Sequence, residues 1–145
     1  MANRLNLAAY YLIGLGFLVY GGARLFGGSL AFAHIMRWRE SPMGAEVEGE
    51  LVKAWPQLSE KAIIDIPIEA YLGWSLLMGV VLTLGALLAL FRRRIGLVLI
   101  GGYYVLFGLM FVNYLAFNAK LLHFGIGVAM LALMVFLAEK LSHPA

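Results

Sequence analysis

Apolar residues run almost unbroken from Leu5 to Ala33, from Ile63 to Phe91, from Ile95 to Phe117 and from Leu121 to Ala138. Each run is near or above the ~20 residues that a helix needs to cross the hydrocarbon core. The pattern therefore predicts an all-α fold: a four-transmembrane-helix bundle in a single integral membrane domain over residues 1–145, with one longer extramembrane connection between helices 1 and 2, at residues 34–62. Within that connection, Ser41 followed by P-M-G-A-E-V-E-G-E-L-V-K-A-W predicts a short N-capped helix that breaks before Pro56. Its Val47, Leu51 and Trp55 are placed to rest on the membrane surface or on a partner. Trp38, between Arg37 and Arg39, reads as an interfacial anchor.

Composition agrees with the pattern. The chain is 63% hydrophobic and 13% charged, which moves it away from soluble domains and toward the bilayer. The first apolar run is longer than the core of a cleavable signal peptide, so it is expected to stay as a helix. The absence of cysteine excludes disulfides, thiol catalysis and cysteine-ligated clusters. With a net charge of +3 and basic residues scattered or beside the spans, no nucleic-acid surface is expected. Arg92, Arg93 and Arg94 fill the short link between the second and third spans, which favours the cytoplasmic side for that link and for both termini, in a multi-pass inner membrane protein. No metal-binding cluster, nucleophile with adjacent base or phosphate loop is legible, so the sequence carries no self-sufficient catalytic constellation and leaves enzymatic activity open.

Candidate chemistry lies in polar residues inside the spans. Counting about 1.5 Å per residue from the expected cytoplasmic ends puts Arg24 at about 28 Å, Glu69 at about 33 Å, Asn113 at about 27 Å, Asn118 at about 35 Å and His123 at about 22 Å. Arg24, Glu69, Asn113 and His123 are therefore the candidate buried polar layer or ligand-binding residues. An unpaired arginine at mid-membrane costs roughly 2.5 to 3.5 kcal/mol on insertion scales, so Glu69 is the expected partner of Arg24. Asp65, a helix-start residue ahead of Pro67, competes for the same cation. Such a pair serves either a ligand site or helix register alone. Gly14, Gly21 and Gly28 recur every seven residues, as do Gly101 and Gly108, and Gly73 lies one turn below Glu69. These mark faces where helices approach closely.

The first span reads G14-L-G-F-L-V-Y-G-G-A-R-L-F-G-G-S-L-A-F-A33 and the second E69-A-Y-L-G73-W-S-L-L-M-G79. A glycine-rich first helix with a basic residue before leucine, here Arg24-Leu25, then a glutamate followed by spaced glycines, resembles the DoxX family of small bacterial four-helix membrane proteins. The match covers about half the chain, and the long connection departs from the compact family form. The resemblance implies an accessory subunit of a membrane oxidoreductase or electron-transfer complex working with quinone. The residues alone leave room for an independent binding or transport bundle for a small lipophilic molecule, holding a quinone or lipid in the polar layer, or for a purely structural subunit. The expected partners are the lipid bilayer and other membrane subunits or further copies of the chain.

Overall fold

A computed structural model describes residues 2–115 and 119–142. Five helices follow one another: α1 (Ala2–Ile35), α2 (Pro42–Ser59), α3 (Ile68–Leu90), α4 (Arg94–Tyr114) and α5 (Ala119–Ser142). No strand occurs among the described residues. Four of the helices, all but α2, are long and apolar enough to cross a membrane, and their outward faces carry side chains such as Leu12, Val19, Val98 and Leu122, each exposed by two thirds or more. Such a surface belongs in lipid. The chain is an all-α, multi-pass membrane protein.

The spans form a ring in the order α1, α3, α4, α5, with the most extensive packing between α1 and α3 and between α3 and α4, and sparser contact of α5 with α1 and α4. Glycine sets the tight seams. A Cβ on Gly21 would lie 3.0 Å from the Thr83 backbone nitrogen, and one on Gly79 would lie 3.0 Å from the Leu25 backbone. Gly14 faces Leu90 and Gly28 faces Leu76 in the same antiparallel register, so the seven-residue glycine repeat of α1 is its contact stripe against α3. Between α3 and α4, Gly96 meets the backbone of Ala89 and Gly85. Gly73, Gly101 and Gly108 make only ordinary contacts, beyond 3.6 Å, so the close approach expected at these three positions is not used. The core they enclose includes Met78, Leu82, Ala86, Ile100, Tyr103 and Met134, all 1% exposed or less.

The connection between the first two spans is mostly helix. Ser41 caps α2 as expected, its hydroxyl accepting from the Gly44 backbone at 3.0 Å. The expected break before Pro56 does not occur, because the proline lies in the last turn, where a missing N–H removes a single internal bond. The apolar face of α2 rests on its own bundle: Trp55 packs edge-on against Tyr71 at 5.4 Å and Tyr114 at 6.3 Å. At its start, Gly44 lies against the Leu30 carbonyl and the His34 side chain. His34 fastens the crossing, accepting from the Ser41 N–H at 3.4 Å through Nδ1 and placing Nε2 3.1 Å from Glu48. These partners require the hydrogen on Nε2 in the neutral ring. Helix α2 thus closes one end of the bundle, and the Arg92–Arg94 turn forms the other.

Two boundaries differ from the sequence expectation. Helix α3 starts at Ile68 rather than Ile63, because residues 63–67 run as a non-helical link pinned to α4. Asp65 makes no cap, the N-cap being Pro67. Helix α4 ends at Tyr114, with Leu115 in the left-handed region at φ 46°; the expected end at Phe117, and Asn118, lie outside the described residues.

Candidate functional site

The α1/α3 register decides which polar groups meet. Since Gly21 faces Leu82 and Thr83, and Leu25 faces Gly79, Arg24 stands opposite Val80, eleven residues or about 16 Å from Glu69 along α3. Its side chain leans toward the α2 end, and Nη2 donates to the Ser75 hydroxyl at 3.3 Å. That still leaves Glu69 six residues, about 9 Å, further on. The expected Arg24–Glu69 pair is not formed: among the described residues the ion-pair contact is His34 with Glu48. A depth counted from Leu5 misleads because α1 extends past the end of α3: Gly14 already faces Leu90, and the Tyr10 hydroxyl donates to the Ala89 carbonyl at 2.8 Å. Glu69 is exposed in the first turn of α3, where the unpaired N–H groups and helix dipole favour a carboxylate.

Asn113 also leaves the expected layer. Its side-chain oxygen accepts from the Ile64 N–H at 2.9 Å, its amide donates to the Ile64 carbonyl at 3.1 Å, and its backbone carbonyl accepts from the Ile63 N–H at 2.8 Å. The amide side chain mimics a strand partner and fastens the 63–67 link to the end of α4. This is a structural clamp.

His123 and Arg24 do share a depth. Met134 packs on Gly14, and eleven residues back along α5, about 16 Å, His123 stands level with Leu25. Between them lies an aromatic wall from α4 and α5. Tyr103 stacks on Phe107 at 5.7 Å, Phe107 and Phe111 sit 4.9 Å apart, and Phe124 edges onto Tyr104, Phe107 and Phe111. The Arg24 guanidinium lies 5.2 Å from the Phe107 ring centre and 5.8 Å from that of Tyr103. Cation–π contact of this kind is worth about 0.5 to 2 kcal/mol and offsets part of the cost of placing the cation there. It satisfies no hydrogen-bond donor.

Against this wall runs a half-open groove of about 220 Å³, lined by Ile13, Gly16, Phe17 and Tyr20 of α1, by Tyr103, Tyr104 and Phe107 of α4, and by His123, Ile126, Gly127 and Met130 of α5. Its walls are almost wholly apolar. Gly127 admits the Tyr104 hydroxyl, which occupies the space of a side chain. Ile13, Phe17 and Tyr20 form one stripe of α1, and the next residue on that stripe is Arg24. Three buried donor groups near this level have no hydrogen-bond partner: Arg24 Nε, the Tyr103 hydroxyl and Trp74 Nε1. The Tyr103 hydroxyl faces Tyr20, although their contact does not reach hydrogen-bond geometry.

Sequence reasoning found Arg24 and His123 and passed over Tyr103, Phe107 and Ser75. The available signal was the four-residue spacing of Tyr103, Phe107 and Phe111, one face of a helix, in the span that must receive the Arg24 side chain. A second cavity, about 390 Å³, opens at the Arg92–Arg94 turn. Glu139 stands in its wall, and its exposed arginines are accounted for as charges anchoring the turn at the membrane surface. No protein-family model, curated protein or solved structure matches the chain, so the likeness to the DoxX family stands on the motif residues alone.

Proposed function

We propose that this protein binds a small lipophilic molecule within the membrane, in the groove between α1, α4 and α5. The observation that carries the reading is the open apolar groove beside buried donors that lack partners, since buried polar groups are otherwise almost always hydrogen-bonded. Pockets that enclose a whole drug-sized ligand measure about 300 to 1,000 Å³. A groove of about 220 Å³ suits one ring or one stretch of chain, with the rest of the molecule in lipid.

A second reading follows from the groove's walls. Tyr20, Tyr103, Tyr104, Phe107 and His123 present ring faces and edges that suit a flat quinone ring, in keeping with an accessory subunit of a membrane oxidoreductase whose partner carries the redox centre. In either case the protein sits in the inner membrane with both termini cytoplasmic, from the charge of the Arg92–Arg94 turn.

Gly16 gives the test. It lines the groove, and a Cβ built there meets nothing within 4 Å, so Gly16→Leu fills the groove without disturbing the fold. Native purification followed by mass spectrometry of extracted small molecules should find a lipophile in the wild type and lose it in Gly16→Leu. Equal lipophile content in both proteins would exclude the groove as the site. Co-purification of a partner bearing flavin, haem or iron selects the second reading; its absence selects the first.

A further inference from the structure

The ligand's head group can be read from the charge one turn beyond the groove's lining, since Arg24 follows Ile13, Phe17 and Tyr20 on the same stripe of α1. Arg24 lies on a membrane-spanning helix with its Nε buried and unpartnered, one hydrogen bond of 3.3 Å to Ser75 and two aromatic ring faces beside it. No carboxylate of the described residues comes within 4 Å of it. On α3 its partner Ser75 is seven residues, about 10 Å, inside the start of the membrane-spanning helix at Ile68. A cation held at that depth gains most from an anion that arrives with its own apolar tail.

Resting on the proposed groove, we infer that the ligand is a single-chain amphiphile with a carboxylate head, its tail lying along Ile13 and Phe17 and its head against Tyr20, Arg24 and Tyr103. The chemistry fits the free donors. A carboxylate accepts side-on from an arginine edge and has a further lone pair for a hydroxyl. The Nε on that edge is unpaired, and the Tyr103 hydroxyl, on a residue 1% exposed, has the Tyr20 hydroxyl beside it without a contact of full hydrogen-bond geometry. A neutral quinone would leave the guanidinium charge uncompensated. A diacyl phospholipid would have to fit its two chains to a groove of about 220 Å³.

The test uses the full chain in phosphatidylcholine nanodiscs, labelled with a diazirine-bearing palmitate and competed with palmitate or with methyl palmitate. Palmitate should compete at least about tenfold more strongly than its ester, a difference of about 1.4 kcal/mol. Arg24→Gln should remove that preference and Arg24→Lys should keep most of it. Labelling should map to α1, α4 and α5 and vanish in Gly16→Leu. Should Arg24→Gln not fold, the wild-type acid-to-ester ratio and the Arg24→Lys variant still decide.

Equal competition by acid and ester, with labelling still lost in Gly16→Leu, overturns the carboxylate and leaves the groove standing. A preference for the acid that survives Arg24→Gln overturns the role of Arg24. Labelling insensitive to Gly16→Leu overturns the groove itself.

Discussion

One methyl group added at Gly96 would point straight into the backbone of α3. A Cβ there lies 2.6 Å from the Gly85 carbonyl oxygen and 2.8 Å from Ala89 Cα, and it meets the Ala89 nitrogen more closely still. None of these atoms has a rotamer to change. Ordinary contact begins at 3.4 Å, so α4 must retreat by at least about 0.8 Å, the difference between 3.4 and 2.6 Å at the Gly85 oxygen, and by more at the Ala89 nitrogen. A gap of ~0.5–1 Å forfeits a quarter to a half of each dispersion contact of ~0.1–0.2 kcal/mol. Fully buried Ile100, on the same seam, loses part of its dispersion contact with α3. With Ala86 and Ala89 added, the expected penalty is about 2 to 3 kcal/mol, within the usual range for overpacking. Alanine's better helix propensity returns ~0.8–1.0 kcal/mol, leaving a net loss of roughly 1 to 2 kcal/mol. Gly102→Ala is the control, because a Cβ there meets nothing within 4 Å, and it should gain the propensity term alone. Unfolding in mixed micelles by titration with dodecyl sulfate, followed by circular dichroism, should separate the two variants by about 2 to 3 kcal/mol. If Gly96→Ala proves as stable as Gly102→Ala, the seam is not closely packed and the reasoning fails.

The other expectations use similar measurements. Gly21→Leu should destabilise strongly, since its Cβ already crowds the Thr83 backbone at 3.0 Å, whereas Gly73→Leu should be near neutral, because only Phe32 lies within 4 Å; equal thermal stability in detergent would refute the contrast. Arg24→Ala and Glu69→Ala should have additive effects, with a coupling below about 0.5 kcal/mol, and a larger coupling in the double mutant would show that the residues touch. Asn113→Ala should cost about 1 to 3 kcal/mol through the two side-chain bonds to Ile64 and expose the 63–67 link to proteolysis, and unchanged protection would remove its role as a clamp. Cysteines placed at Glu48 and at Ser142 should label from outside and inside respectively in intact cells, and the reverse pattern would invert the orientation.

The four spans were legible because hydrocarbon thickness imposes a length that apolar runs display directly, and Ser41 announced α2 because its hydroxyl must meet an unpaired N–H. Depth was not legible by the same means. An apolar run does not record where its helix first touches another, and α1 gains that contact only at Tyr10 and Gly14, well past its start. Counting from Leu5 therefore set Arg24 near Glu69, whereas packing sets it opposite Val80. The glycine repeat of α1 did contain the missing register, since Gly21 and Gly79 interlock with Thr83 and Leu25, but a repeat on one helix does not name its partner's residues. Glu69 was misread for a local reason: Pro67 starts α3 later than hydropathy suggests and leaves Glu69 at a favourable helix N-terminus.

The sparse packing of α5 bears on how the groove is held together. Helices α1, α3 and α4 hold one another through backbone contacts at Gly21, Gly79, Gly85 and Gly96, none of which needs α5. One long wall of the groove comes from α5, through His123, Ile126, Gly127 and Met130. The proposed ligand site is therefore complete only when α5 is docked against α1 and α4. A ligand bound there would rivet the weakest seam of the bundle, so that ligand and fold would stabilise each other.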